Sequence, residues 1–271
     1  MQKNRKNLPS NFARFVNDLT REVETVEGYL SQREMEFLAL LAACPTTVGE
    51  ILEIGSFKGK STIILAKAAA LATAKPVVNA VDPMTAPSET DPDLCGEASS
   101  FADFQRNIEA HGVANRIDLH KMFSHELAAS WKKPLRLLWI DGDHTYTGTK
   151  NDFDGFARYL ADKGIVAFHD VLHEFEGGAR VFLEQVLLSP NFGACGFCGS
   201  IAWAQFRSDS RETEPHTKLK LSLYKKLARL IPFLVFGTEL KGWRKKKYKF
   251  FRSRVPRNAI DPQTWLDFVN Q

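Results

Sequence analysis

The stretch Glu50-Ile51-Leu52-Glu53-Ile54-Gly55-Ser56-Phe57-Lys58-Gly59-Lys60-Ser61-Thr62 decides the fold. Its first five residues form an apolar run of the length of a buried strand. Gly55 and Gly59 then permit a tight turn and a close backbone approach, and STIILAKAAALATA over 61–74 is rich in helix formers. Working outward, the same alternation recurs. VVNAVD at 77–82 reads as a second strand, 99–110 as a helix, and RIDLH at 116–120, LRLLWID at 135–141 and GIVAFHD at 164–170 as three further strands. A helix around 149–161 separates the last two, and GSIAWAQF at 199–206 is a late strand. Strands alternating with helices predict an α/β fold, a doubly wound, mostly parallel sheet covered on both faces. Upstream, Ser31 and Glu34 have capping-box spacing, Leu30 and Met35 flank them as a hydrophobic staple, and Pro45 closes the helix.

Composition narrows the class. With 44% hydrophobic residues in 271, the chain can bury a sizeable core, which excludes disorder as its main state. Four cysteines are too few for a disulfide-stapled scaffold, the amino terminus lacks the apolar core of a signal peptide, and no apolar run approaches the ~20 residues that span a bilayer. A soluble, cytoplasmic protein is expected. Charge is uneven: residues 218–257 hold fourteen Lys or Arg against one acid, Glu239, a net +13, whereas the remainder holds 22 bases against 31 acids, a net −9. The expected organisation is an extension over 1–24, the α/β domain over 25–207, and a basic amphipathic region over 208–271.

In open parallel sheets, ligands bind beyond the carboxyl ends of the strands where the strand order reverses. GSFKGKST there is one residue short of a triphosphate-cradling loop, and a changed cradle wraps a phosphate differently. LLWID could imitate the Mg²⁺-holding acidic strand of such enzymes, so a nucleotide-triphosphate-dependent enzyme stands as the alternative. A dinucleotide fingerprint lacks its G-x-G start. An acid closing the first strand, a Gly-x-x-x-Gly turn and Asp82 ending the next suit a nucleoside without phosphate, with Asp82 accepting from ribose hydroxyls. The loop PMTAPSETDPDLCGEA, 83–98, is long enough to act as a lid.

On LEIGSFKGKST, AVDPM, LLWIDGDHTYTGTKNDF and GIVAFHD, in that order and spacing, the chain resembles a class I S-adenosylmethionine-dependent methyltransferase with the Rossmann-like methyltransferase fold. More narrowly, it is similar to small metal-dependent O-methyltransferases whose fourth and fifth strands end in Asp-Gly-Asp-His and His-Asp. The resemblance runs from about Gly28 to Phe206. It implies that Glu53, Gly55, Ser56, Phe57, Gly59 and Ser61 surround the methionine part and sulfonium of S-adenosylmethionine, with Asp141 nearby. Asp82 would hold the ribose, and Ser124 would lie near the adenine. It also implies a divalent cation, Mg²⁺ or Mn²⁺, at Asp141, His169 and Asp170. His169 stands where several relatives carry an acid, and an imidazole tilts metal choice away from Mg²⁺.

Methylating a neutral hydroxyl needs a base or metal to draw off its proton. His144 titrates near neutrality and is the first choice of base, with Asp143 second. Relatives sharing these motifs include enzymes acting on sugar hydroxyls, so a sugar or lipid-linked glycan is the expected acceptor. Cys195 and Cys198 have the spacing of a zinc or redox pair but no second pair accompanies them. In the basic region, Leu219, Leu223, Leu227, Leu230 and Leu234 repeat at helical spacing, and a second lysine-rich cluster is interleaved with Trp243, Tyr248, Phe250 and Phe251. That pattern reads first as an anionic membrane surface, so the chain is expected to be peripheral on a cytoplasmic membrane face. A homo-oligomer contact and, less favoured, nucleic acid are the other partners; an RNA methyltransferase using the tail is the corresponding alternative function. A non-catalytic binding module keeping the same fold is a third.

Overall fold

The computed structural model describes residues 8–72, 77–85, 99–234 and 240–271. The predicted lid at 83–98 falls mostly outside them, as does Cys95. Seven strands form one sheet: β1 (Glu50–Ile54), β2 (Val78–Val81), β3 (Ile117–His120), β4 (Leu135–Ile140), β5 (Leu160–Phe168), β6 (Phe192–Cys198) and β7 (Ile201–Phe206). Their order is β3-β2-β1-β4-β5-β7-β6. The first five pair in parallel, whereas β7 runs antiparallel to β5 and β6 antiparallel to β7. The order reverses between β1 and β4, which makes their carboxyl ends the expected ligand crevice.

Ten α-helices are described: α1 (Phe12–Glu22), α2 (Gln32–Ala43), α3 (Lys60–Ala69), α4 (Phe101–Ala110), α5 (Ser124–Ser130), α6 (Tyr146–Phe156), α7 (Gly177–Val181), α8 (Thr217–Leu230), α9 (Gly242–Arg254) and α10 (Pro262–Val269). Side chains alternate across the sheet with period two. Ile51, Leu137, Trp139, Ile165, Ala167 and Trp203 join the core beneath α1–α4 and α10, while Leu52, Ile54, Leu138, Ile140, Val166, Phe168 and Ala202 join the core beneath α5–α9. The fold is therefore the predicted three-layer α/β arrangement, with the basic region as an added helical piece.

That piece is seated on the domain. Leu223, Leu227, Leu230 and Leu234 of the leucine stripe are buried in the second core, and Trp265, Leu266 and Val269 of α10 in the first. Only Leu219 of the stripe is partly exposed. The stripe faces protein, so it offers no lipid-facing side. Among the described residues, no helix is long and apolar enough to cross a membrane. Cys195 and Cys198 lie buried in β6, and burial pushes both thiols up to about 12, so they behave as small core residues.

Candidate functional site

The parallel register aligns the strand ends that carry the site. Ile54 pairs with Ile140, and Ile140 with Phe168. Asp141 N–H donates to the Ile54 carbonyl at 2.8 Å and His169 N–H to the Ile140 carbonyl at 3.0 Å. Gly55 must be glycine: its φ is +85°, and a Cβ there would lie 2.2 Å from the Asp141 carbonyl oxygen. Phe57, Met84 and Asp170 also carry positive φ, so three of the five such non-glycine residues among the described residues stand in loops at the strand ends of this crevice.

Glu53 closes β1 fully buried. Its Oε2 accepts from Thr62 Oγ1 at 2.5 Å and Ser56 Oγ at 3.1 Å, while its Oε1 is buried without a hydrogen-bond partner. Burial raises its pKa to about 7 against the surrounding hydroxyls of Ser61, Thr62 and Ser56. An orphaned buried carboxylate oxygen beside a glycine turn fits a cationic group, which S-adenosylmethionine carries in its ammonium and sulfonium.

Asp82 is turned toward the glycine loop. Its Oδ2 accepts the N–H groups of Ser56 at 2.8 Å and Phe57 at 2.9 Å, and its Oδ1 that of Met84 at 2.7 Å. These are the amides a triphosphate loop would point at phosphate, and here a carboxylate occupies them. Lys58 is buried and pairs with Glu27 at 2.7 Å and Asp103 at 3.3 Å. The carboxylate held in the cradle weighs against the triphosphate alternative. Ser124 opens α5 with its hydroxyl donating to Asp152 of α6. Asp152 is buried, and burial raises its pKa to about 7.

Asp141, His144 and Asp170 each place one donor atom within 4.8 Å of the others. Two carboxylates and an imidazole fit a divalent cation. The ring of His144 stacks on Phe175 at 4.7 Å and its Nε2 lies 3.7 Å from Asp170. His169 is placed behind this trio, its side chain almost fully buried. Its Nδ1 is 3.0 Å from Asp141 and 3.3 Å from Asp170, and its Nε2 is 3.9 Å from Glu34. Burial alone would lower its pKa, but Asp141 and Asp170, with Glu34, raise it well above the usual histidine value. In this geometry His169 is a charged strut between acids, and the imidazole grouped with Asp141 and Asp170 is that of His144. Asp143 is exposed; its Oδ1 accepts the Thr145 N–H at 2.8 Å, closing the turn into α6.

Two residues at this site were not read from the sequence as site residues. Glu34 fills its predicted capping role, accepting from the Ser31 N–H at 2.9 Å and hydroxyl at 2.5 Å. It also accepts from the backbone N–H and hydroxyl of Ser200, and Ser200 in turn donates to Asp170 at 3.3 Å. Burial raises Glu34, yet His169 and these donors hold it well below the usual carboxylate range. Asp152 had a signal: Thr149, Asp152, Phe153 and Phe156 share one helical face, and a carboxylate within an otherwise apolar face needs a partner.

Comparison with known proteins agrees with this architecture. Residues 52–171 match a family model described as a methyltransferase domain. The O-methyltransferase NovP superposes with a TM-score of 0.57 at 11% identity, over 73% of this chain and 100% of its own. The O-methyltransferase TomG from Streptomyces achromogenes, in complex with S-adenosylmethionine, gives 0.52 at 16% identity, over 76% and 92% of the two chains. An O-methyltransferase from Bacillus cereus, in complex with S-adenosylhomocysteine, gives 0.50 at 18% identity, over 72% and 91%. At these identities the likeness is one of fold. Together with the seven-stranded sheet, it shows that the chain has the fold of these O-methyltransferases, and residues 52–171 are similar to a methyltransferase domain.

Proposed function

We propose that this chain transfers the methyl group of S-adenosylmethionine to a hydroxyl of a sugar or glycan acceptor, with a divalent cation held by Asp141, His144 and Asp170. The observation that carries the reading is the meeting of those three side chains at the ends of β4 and β5, beside the β1/β4 reversal where a nucleoside cofactor would sit. Glu53, the Gly55–Gly59 turn, Ser61 and Asp82 would hold the cofactor, whose bound sulfonium supplies an electrophilic methyl. Its cation partner would supply acidification of the acceptor hydroxyl.

The residues of the chain do the rest. Glu53 would offer its unpartnered buried oxygen to the positive charge of the cofactor. Asp82 fixes the loop through its three accepted N–H bonds, leaving the Gly55 backbone able to approach a ligand closely. His169, pinned between Asp141 and Asp170, sets the rotamers of both carboxylates. With a cation bound, His144 would hold it together with Asp141 and Asp170; without one, His144 would be the group placed to take a hydroxyl proton. The acceptor is proposed to meet the enzyme at an anionic membrane surface. Supporting this, α9 exposes Trp243 and Phe250, with Lys247 and Arg254 packed over their rings at 5.1 and 4.8 Å. Equilibrium titration tests the cofactor assignment: S-adenosylhomocysteine should bind, and ATP with Mg²⁺ should not. The reverse pattern would return the glycine loop to the nucleotide-triphosphate reading.

A further inference from the structure

The imidazole grouped with Asp141 and Asp170 is supported in an unusual way. A histidine that binds a metal ordinarily donates its second ring N–H to a carboxylate or carbonyl, and that bond fixes the orientation of the ring. Among the described residues the His144 side chain makes no hydrogen bond. Its Nε2 stands 3.7 Å from Asp170, and its ring lies against the face of the half-buried Phe175, with centroids 4.7 Å apart and planes inclined by 17°. His169, by contrast, has its Nδ1 3.0 Å from Asp141.

The stack is held from both sides. His144 and Phe175 occupy matching places, each immediately before the N-cap of a helix, Thr145 for α6 and Glu176 for α7. The two helix starts are clamped together. Gly177 N–H donates to the His144 carbonyl at 3.0 Å, and a Cβ at 177 would collide with that oxygen, with the Thr145 carbonyl oxygen and with Thr149 Oγ1. Tyr146 of α6 donates its hydroxyl to Glu184 at 2.7 Å, and Arg180 of α7 lies 3.9 Å over the Tyr146 ring. The loop that delivers Phe175 begins at Asp170, whose φ is +52°, and its next three residues are each tied down. Val171 N–H donates to the Ser200 carbonyl at 3.0 Å, the Leu172 carbonyl accepts the Tyr248 hydroxyl at 2.8 Å, and His173 N–H donates to the Asp170 carbonyl at 3.0 Å. One short loop therefore carries a carboxylate of the cluster at its start and, five residues later, the ring that covers the imidazole of the same cluster.

We propose that Phe175 is the positioning residue of the cation site: by stacking on His144 it holds the imidazole in the orientation that brings its Nε2 alongside Asp170. The proposal rests on the divalent-cation part of the methyl-transfer reading and adds to it a residue outside the ligand set. A ring fixed in advance surrenders less freedom when it takes up a ligand. An imidazole bound to a dication also loses electron density, and the negative π face of phenylalanine favours an electron-poor neighbour, so the stack strengthens when the cation is held.

The test titrates the full chain with Mn²⁺, without cofactor or acceptor, and reads the bound cation by electron paramagnetic resonance. Phe175→Leu, which keeps an apolar side chain and removes the ring, should weaken Mn²⁺ binding about tenfold, the size expected when a group that orients a ligand is lost. Phe175→Tyr, which keeps the ring, should stay within about threefold of the parent. Both variants should retain the S-adenosylhomocysteine affinity and the unfolding midpoint. Phe123→Leu is the control, because Phe123 stacks on His125 at 5.6 Å and 21°, a pair outside the cluster, and its Mn²⁺ affinity should match the parent's. Should Phe175→Leu fail to fold, nuclear magnetic resonance of the parent chain supplies the second measurement. The His144 ring protons, assigned by their loss in His144→Ala, should be shifted upfield by the Phe175 ring and show Overhauser contacts to it that persist when Mg²⁺ is added. Undiminished Mn²⁺ binding in Phe175→Leu, an equal loss in Phe123→Leu, a Phe175→Tyr variant as weak as Phe175→Leu, or contacts that vanish on adding Mg²⁺ overturns the proposal. So does Mn²⁺ binding that survives His144→Ala unchanged. If S-adenosylhomocysteine binds and Mn²⁺ does not, the positioning role falls while the cofactor assignment stands. If Mn²⁺ binds through His144 and Phe175 but S-adenosylhomocysteine does not bind, the positioning role stands and the methyl-transfer reading falls.

Discussion

Replacing Gly55 by alanine should be among the most disruptive single-methyl changes in the chain, and the reason lies in two separable penalties. The backbone φ of +85° is left-handed, which costs an L-residue about 1–2 kcal/mol. The new Cβ would also stand 2.2 Å from the Asp141 carbonyl oxygen and 2.8 Å from the Gly142 Cα, against backbone that cannot rotate away. Relief requires the ends of β1 and β4 to separate, an overpacking cost of about 1–3 kcal/mol. That separation also weakens the 2.8 Å bond from Asp141 N–H to the Ile54 carbonyl, a loss of about 1 kcal/mol. Taken together, Gly55→Ala should destabilise by about 4.5 kcal/mol on these central values. Gly112 supplies the control, since its φ is +65° and a Cβ there meets nothing within 4 Å. Gly112→Ala should therefore cost only the backbone part, about 1–2 kcal/mol. Urea unfolding of both variants measures the difference, and S-adenosylhomocysteine titration of Gly55→Ala should show weakened binding. Equal destabilisation of the two variants would refute the claim that close packing of β1 on β4, rather than backbone conformation, fixes glycine at 55.

Asp152 gives a pH prediction. Its native pKa of about 7 lies above its ordinary 3.8, so its contribution to stability is complete below that ordinary value and is lost as pH rises through 7. Asp152→Asn should flatten the decline in unfolding free energy between pH 5 and 8 by up to about 3 kcal/mol, and an unchanged slope would count against the buried, protonated carboxyl. Glu53 titrates in the same sense and remains in that variant, leaving a residual slope. His144→Ala should lower turnover about 100-fold with S-adenosylhomocysteine affinity nearly intact. Chelation should abolish turnover and Mg²⁺ or Mn²⁺ restore it; full activity after thorough metal stripping would remove the cation from the proposal. Truncation after Arg207 should abolish cooperative unfolding, because it deletes Leu223, Leu227, Leu230, Tyr248 and Trp265 from the two cores; calorimetry of the shortened chain is the check.

The centre of the parallel half was legible because β1, β2 and β4 are buried on both faces and so appear as largely apolar runs, as EILEI and LRLLWI show, whereas the edge strand β3 is partly exposed. β6 escaped notice for the opposite reason: FGACGFC has two glycines, an alanine and no β-branched residue, and its pairing with β7 supplies what propensity lacks. The seven-residue α5 is too short and polar to leave a periodic signal. Amphipathicity in the basic region disclosed that Leu223, Leu227 and Leu230 would be covered; it carried no information on whether protein or lipid would cover them. At the site, strand-end residues were readable because parallel topology sends them to one crevice. The pairing of Glu34 with Ser200 and His169 was not, since it depends on how α2 docks against a turn far along the chain.

Glu34 spends both carboxylate oxygens on partners from distant parts of the sequence. One serves Ser31 at the start of its own helix, and the other the Ser200 turn that borders Asp170. A helix start is ordinarily free to fray by itself. Here, opening the first turn of α2 would strip Ser200 of its acceptor and leave the His169 imidazolium with one acid fewer. Amide exchange at residues 31–35, 169–171 and 199–201 should therefore follow a single opening free energy, so that this helix end is protected to the same depth as the crevice it borders.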